Sequence, residues 1–138
     1  MYQREGFTLI ELMVVILIVA ILAAVAIPIM RGRIDSAKWS EGKAMAGTLG
    51  TAIRAYAAEK GTDGSYGGGA PNLVALGFSA SDLTGTYFSF GDYSWTTTYD
   101  FVADPPLTFT ITINAPAGVI NTPSVVTLDE SGTWSETP

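Results

Sequence analysis

An apolar run over residues 6–30 constrains this chain more than any other stretch, because it carries a single charged side chain, Glu11. About 24 residues follow Gly6 before the first arginine, and a helix of that length spans roughly 36 Å, enough to cross the hydrocarbon core of a bilayer. A secretory signal peptide has a shorter apolar region with a cleavage site behind it, whereas this run leads into a further helical pattern. The sequence therefore predicts a membrane helix that is not cut behind the run.

Glu11 is an anomaly in that helix. A carboxylate near the centre of a membrane helix costs on the order of 2.5–3.5 kcal/mol on insertion scales, so such residues usually face a partner and not the acyl chains. Two interpretations follow. Glu11 lies close to the start of the run and reaches the lipid headgroups, or it awaits a cation supplied by another membrane component.

The residues around Glu11 carry a resemblance to a known family. A polar leader, MYQRE, precedes the sequence GFTLIE at residues 6–11, and the apolar run follows. This pattern resembles the class III signal of type IV pilins and type II secretion pseudopilins, strongly over residues 1–30 and in general style to about Lys60. The leader departs from the family in one respect, since Glu5 leaves it without net side-chain charge where family leaders are basic.

The resemblance implies a role for each of three residues. In that family a prepilin peptidase cuts after the glycine on the cytoplasmic side, and the new terminal phenylalanine is N-methylated; here these residues are Gly6 and Phe7. The fifth mature residue pairs with the terminal amine of a neighbouring subunit during assembly, and Glu11 occupies that position. A carboxylate in a low-dielectric medium gains strongly from such a partner, so the pair sets the register between subunits.

Pro28 is the second assembly residue that we predict. It removes one backbone donor and kinks or locally opens the helix, which lets a long helix bend into a bundle; it equally marks the end of the membrane segment. Lys60 followed by Gly61 predicts the end of the continued helix. We expect its core-facing side to be an apolar stripe at helical spacing, formed by Met45, Leu49, Ala52, Ile53 and Tyr56. The glycines at positions 32, 42, 47 and 50 indicate either close packing between stems or a marginal helix.

Composition excludes several classes of function. The chain has no cysteine and no histidine, so Ser-His-Asp and Cys-His nucleophile systems and histidine-ligated metals cannot form within it. No disulfide closes a C-terminal loop, which departs from many type IV pilins. The 138 residues accommodate one small domain on a stalk. We expect four segments: a leader at 1–6, a membrane or filament-core helix at 7–30, an amphipathic stem at 31–61 and a β-rich head at 62–138.

Charge is divided between the stem and the head. Residues 31–60 hold six basic and three acidic side chains, whereas residues 61–138 hold eight carboxylates and no Lys or Arg. This division reflects solubility alone, or it provides electrostatic complementarity between stacked subunits. Nucleic-acid binding by the head is disfavoured because phosphates require Lys or Arg. The basic residues behind the run would place the head in the cytoplasm by the positive-inside rule, whereas the resemblance implies an exported head.

The head has the pattern of an antiparallel sheet. Residues 62–71 predict a glycine-rich connecting loop, and residues 72–78 and 81–85 predict short turns. Strands are expected at 86–90, 93–102, 107–114 and 124–128, with a further segment at 133–135; residues 107–114 alternate cleanly between apolar residues and threonine. The predicted fold class is α+β: a long N-terminal helix packed on a small antiparallel sheet, as in pilins.

No catalytic site is predicted, because nothing in the sequence indicates a cleft, and no metal site is assigned. Calcium in the head remains an alternative, since its carboxylates lie mainly near loops and calcium prefers oxygen ligands from loops. No Asp-x-Asp-x-Asp-Gly loop occurs, so acids solvated in turns are favoured. The candidates are Asp63, Asp82, Asp92, Asp100, Asp104, Asp129 and Glu130.

The sequence therefore predicts a non-enzymatic subunit of a type IV pilus-like filament. The alternatives are a pseudopilin of a type II secretion system and a monomeric membrane-anchored binding domain. The implied partners are further copies in a helical filament, minor pilins or pseudopilins, the prepilin peptidase and an inner-membrane assembly platform. The implied location is the bacterial inner membrane, single-pass with a cytoplasmic N-terminus and exported head, and then a periplasmic or surface filament.

Overall fold

A computed structural model describes residues 6–61 and 71–138. The leader at 1–5 and most of the predicted glycine-rich loop, residues 62–70, lie outside these ranges. The elements are α1 (Leu9–Lys60), two short 3-10 helices (Ala80–Leu83 and Phe90–Asp92), and the strands β1 (Tyr93–Tyr99), β2 (Leu107–Asn114), β3 (Val125–Asp129) and β4 (Trp134–Thr137). The chain separates into two compact units, Met1–Ile34 and Asp35–Pro138.

The first unit contains no buried side chain among its described residues. Its large apolar side chains are all strongly exposed, from Phe7 at 82% to Ile34 at 46%. The helix that includes them is long and apolar enough to cross a membrane. Since exposed apolar surface on this scale is unfavourable in water, the unit requires lipid or other helices around it.

The second unit contains the hydrophobic core. Its sheet has the order β1-β2-β3-β4, with every neighbouring pair antiparallel. In the ladder Tyr93 lies opposite Ile113 and Ile113 opposite Val126, so their side chains form one inward row; Trp95, Ile111 and Leu128 form the next. Because side chains alternate along a strand, the threonines between them face outward. The predicted α+β class is therefore confirmed, and the sheet is a meander of four antiparallel strands.

The buried face of α1 differs partly from the predicted stripe. Leu49 and Ile53 are fully buried as expected, whereas Met45, Ala52 and Tyr56 lie only half-buried at the flanks. The buried line runs through Trp39, Gly42, Ala46, Leu49, Gly50, Ile53 and Ala57. Small residues occupy much of this line because the sheet and a loop approach the helix backbone closely. A prediction based only on large apolar residues does not detect these buried glycines and alanines.

Packing within the subunit explains one of the stem glycines, Gly42, and places a second, Gly50, in ordinary contact with the sheet. A Cβ on Gly42 would lie 2.9 Å from the ring of Phe88, and one on Gly50 would lie 3.5 Å from Ile111 and Phe109. Gly32 and Gly47, in contrast, have open space where a Cβ would be. The close packing at Gly42 thus occurs against the chain's own head, which neither sequence interpretation, close packing between stems or a marginal helix, had included.

The predicted strand at residues 86–90 is wrong. This segment is a loop that ends in the second 3-10 helix, and the carboxylate of Glu41 accepts hydrogen bonds from the backbone N–H groups of Tyr87 and Phe88 at 2.8 and 3.0 Å. Phe88 is buried against Trp39, with ring centroids 5.1 Å apart. The N–H groups of residues 87 and 88 are therefore bound to a helix side chain and are not available for pairing with a neighbouring strand.

Candidate functional site

The N-terminal segment carries the predicted processing and assembly residues. Gly6, Phe7 and Thr8 precede the first helical residue, Leu9, and Phe7 is 82% exposed. The bond between Gly6 and Phe7 therefore lies in non-helical, exposed backbone. A peptidase requires an extended substrate backbone, so this position suits the predicted cleavage.

Glu11 forms a local cap with Thr8. Its Oε2 accepts hydrogen bonds from the backbone N–H of Thr8 at 2.9 Å and from the Thr8 hydroxyl at 2.6 Å, and the Glu11 N–H lies 3.4 Å from the same hydroxyl. This reciprocal arrangement is a capping box, which satisfies donors that the first turn of a helix leaves unpaired. Oε1 has no hydrogen-bond partner within the described residues.

Sequence reasoning missed Thr8, although the signal was present. Thr8-x-x-Glu11 immediately before an apolar run is the capping-box pattern, and the helix start at Leu9 fits it. Glu11 is therefore not an unpartnered charge in the isolated chain. Its carboxylate already has a neutral donor, while one oxygen faces the apolar surroundings of the helix.

Apolar side chains surround that carboxylate on the helix surface. Phe7, Ile10, Val14 and Val15 line the groove beside Glu11. The helix α1 continues through Pro28 without a break, and Pro28 itself is exposed. Apart from Thr8 and Glu11, residues 7–30 are all apolar, so the carboxylate lies at the start of a long apolar surface, an arrangement that suits packing against similar helices.

Two other carboxylates on α1 attach the loops of the second unit. Glu41 binds the backbone of residues 87 and 88. The buried Asp35 accepts a hydrogen bond from the N–H of Asn121 at 3.2 Å. Nearby on the helix, Lys38 donates to the carbonyl of Val119 at 2.5 Å. Burial alone would raise the pKa of Glu41, but hydrogen bonds from three backbone N–H groups outweigh it and lower the pKa. Both groups therefore position loops on the helix.

Three of the candidate calcium ligands are engaged in their own turns. The carboxylates of Asp82 and Asp92 accept bonds from Ser79 and Ser89, and Asp129 accepts bonds from Ser131 and Thr133. Hydrogen bonds from Ser79 lower the pKa of Asp82, and bonds led by the Ser131 hydroxyl lower that of Asp129. Within the described ranges no three acidic side chains converge as a metal site would require, and Asp63 lies outside them.

Comparisons with known proteins agree on the N-terminal segment. The family model of the prokaryotic N-terminal methylation motif matches residues 1–27. The chain is similar to a type IV major fimbrial protein FimA of Dichelobacter nodosus, 32% identical over 136 residues that make up 96% of this chain and 86% of that protein.

Other relatives match over a shorter stretch. The fimbrial protein EcpC of Eikenella corrodens is 43% identical over 58 residues, and a fimbrial protein of Moraxella nonliquefaciens is 49% identical over 53 residues. The matched region spans only 38% and 34% of those two proteins. No solved structure is significantly similar to this chain.

Proposed function

This chain belongs to the type IV pilin family, and from that premise we propose that it is a structural subunit of a type IV pilus filament. It is a structural protein and not an enzyme, as its fimbrial relatives are. The observation that carries the proposal is that the methylation motif at residues 1–27 includes the start of a helix half whose large apolar side chains are all exposed. A subunit with that surface is stored in a membrane and buries the surface again when it assembles.

Processing would precede assembly. The proposal is that a prepilin peptidase cuts after Gly6 and that Phe7 is N-methylated, leaving residues 7–30 as the membrane and filament-core segment. Residues 31–61 would then form the stem and residues 62–138 the head, exported while the N-terminus remains cytoplasmic. The exposed, non-helical backbone ahead of Leu9 supports the cleavage step.

Glu11 would direct the assembly step. Its Oε2 is satisfied by Thr8, but its negative charge is not compensated, and the low dielectric around it makes an uncompensated charge costly. The amine created at Phe7 of a neighbouring copy supplies the missing positive charge. Because each chain then carries one donor and one acceptor, the same contact repeats from copy to copy and generates an open helical filament.

Experiment distinguishes the pilus subunit from two alternatives, a pseudopilin and a monomeric anchored domain. A pseudopilin of a type II secretion system shares the signal and the helix but would stay in the periplasm, whereas a pilus extends from the cell surface. Both would use an inner-membrane assembly platform and minor subunits. A monomeric anchored binding domain is the third candidate, and it would need neither processing nor neighbours. The full-length similarity to major fimbrial proteins favours the pilus.

The first test is the intact mass and N-terminal peptide of the chain purified from its own membranes. We expect a chain that begins at methylated Phe7. Protease added outside the inner membrane should remove the head and leave the N-terminal segment intact. A stable monomer that retains Met1 would overturn the proposal in favour of the anchored binding domain.

The second test separates the two roles of Glu11. Glu11→Ala should leave membrane insertion intact and abolish filaments, because it removes the charge that pairs with the amine. Thr8→Val is the matched control, since it removes the capping hydroxyl but retains the charge, and it should assemble at near-normal levels. Equal defects in both variants would show that capping alone matters and would contradict the pairing role.

A further inference from the structure

Most basic side chains of α1 are engaged within their own chain. Lys43 forms a salt bridge with Glu136 at 2.6 Å and lies over the Trp134 ring, while Arg54 donates to the Glu130 carbonyl at 3.1 Å and lies over Phe109. The remaining two engaged groups are Lys38, bound to the Val119 carbonyl, and Lys60, over the Tyr56 ring. These four cations are therefore committed to packing the second unit.

Arg31 and Arg33 are different. Both are exposed, and the side chain of neither forms an ion pair, hydrogen bond or ring contact with any residue that the structure describes. They directly follow the apolar run, in the first compact unit. Arginine presents a planar fork of donors that suits carboxylates in a bidentate geometry, so each of these exposed side chains is a potential anion contact. As positions i and i+2 of α1, the two arginines lie on different sides of the helix.

Most described carboxylates of the second unit also have partners. Asp35, Glu41, Asp82, Asp92, Asp100, Asp129 and Glu136 each accept a hydrogen bond or an ion pair. The side chains of Glu59, Asp104 and Glu130 accept none from the described residues. Since residues 61–138 contain no Lys or Arg, any cation for these three must come from elsewhere.

The three unengaged carboxylates lie at one end of the second unit. Glu59 is in the last turn of α1, and the Tyr99 hydroxyl donates to the carbonyl of Gly61 at 2.7 Å, which attaches the end of β1 there. Asp104 follows in the turn between β1 and β2. Glu130 lines a shallow depression with Thr98 and Thr108, the second ladder pair from that turn. Unpaired negative charge therefore collects where α1 ends.

We propose that Arg31 and Arg33, on different sides of α1, bind the carboxylates of Glu59, Asp104 and Glu130 of neighbouring copies of this chain. This inference rests on the proposed filament function and adds a specific contact to it. The chain's four other stem cations are already engaged, so these two arginines are the ones left to neutralise that acidic end. Complementary charges of this kind determine register and partner choice more than affinity, and salt screens them.

The proposal commits to a second copy of this chain, although arginines behind a membrane helix also suit anionic lipid headgroups. Charge reversal distinguishes the two. In the full-length chain, expressed with an assembly system, Arg31→Glu with Arg33→Glu should reduce assembled filament about tenfold, because like charges then face each other. Adding Glu59→Lys, Asp104→Lys and Glu130→Lys to the same chain should restore assembly.

A positional control adds three lysines at exposed neutral positions, Ala80→Lys, Asn114→Lys and Ala117→Lys, to the arginine double variant; it gives half of the charge change of the three reversals. It should not restore assembly, because the new charges lie at other places. Since the chain has no cysteine, Arg33→Cys with Asp104→Cys should also give disulfide-linked oligomers in wild-type-like filaments, whereas Arg33→Cys with Val74→Cys should not. Unchanged thermal unfolding of the monomers would exclude misfolding as the cause.

Each outcome decides the question. If the arginine double variant assembles normally, or if its defect persists with all three head reversals, the contact between copies is overturned. A persistent defect accompanied by lost binding to phosphatidylglycerol vesicles would assign the arginines to lipid instead. If the unmodified chain forms no filament at all, the proposed function fails and this inference fails with it, so the two failures are distinguishable.

Discussion

Single carboxylates on α1 hold loops of the second unit through backbone donors. Glu41 is the clearest case, because one oxygen accepts two N–H groups of a segment that would otherwise have no ladder partner. A Cβ on Gly85 would overlap the same carboxylate, closer than van der Waals contact, so a larger residue at this position would require the Glu41 side chain to move. Charge-assisted bonds of this type are stronger than neutral ones, which gives one surface residue a structural role.

At the residue scale we predict that Glu41→Gln lowers the free energy of unfolding by about 1–2 kcal/mol, since a neutral acceptor replaces a charged one. The folded pKa of Glu41 is below its ordinary value of 4.5, so its stabilisation is present above that pH and disappears as the pH falls through the lowered pKa. Thermal unfolding of the full chain in detergent should show this acid loss in the wild type and less of it in the variant.

Glu59→Gln is the control for that measurement, because Glu59 is exposed and has no partner among the described residues. Its unfolding curve should match that of the wild type at every pH. Equal destabilisation by both substitutions would mean that overall charge, and not the bonds to residues 87 and 88, is responsible.

At the scale of elements, α1 contains glycines with opposite roles. Gly42 faces the ring of Phe88 with no room for a methyl group, whereas Gly47, little more than one turn later, has open space. Glycine in a helix interior costs about 1 kcal/mol relative to alanine through backbone entropy. The cost is offset by packing at the first position and has no such compensation within the subunit at the second.

We therefore predict that Gly42→Ala and Gly47→Ala change stability in opposite directions. Gly47→Ala should stabilise the detergent-solubilised monomer by about 0.5–1 kcal/mol, and Gly42→Ala should destabilise it by about 1–3 kcal/mol because the added methyl displaces Phe88. Chemical denaturation measures both. Stabilisation by Gly42→Ala would mean that the loop carrying Phe88 yields easily and does not specify the helix position.

At the scale of the whole molecule, the acidic second unit folds with its turn carboxylates bound to its own serines and backbone. Asp82, Asp92 and Asp129 each cap a turn, so their oxygens are occupied in the absence of any ion. We predict that excess EDTA shifts the unfolding midpoint by less than about 2 °C, and that millimolar calcium leaves it unchanged. A midpoint that rises with calcium concentration would indicate a specific site, because only binding to the folded state produces that dependence.

The sequence alone determined the features that depend on local periodicity and long apolar stretches. The membrane-length helix with its single carboxylate, the helix end at Lys60 and the bounds of β2 at residues 107–114 all agree with the structure. The capping box at Thr8 and Glu11 was also accessible to such reasoning. These features are set by neighbours three or four residues apart or by uniform hydrophobicity, so a linear pattern contains them.

Only the tertiary structure decided how distant segments compete for the same groups. Residues 86–90 have the composition of a strand, but Glu41 and Gly42, more than forty residues earlier, bind that segment as a loop. The buried line of α1 likewise passes through glycine and alanine because the sheet lies close to the helix backbone. Which charges remain unpaired also depended on the fold, since an ion pair such as Lys43 with Glu136 joins residues far apart in the chain, and no local pattern records that proximity.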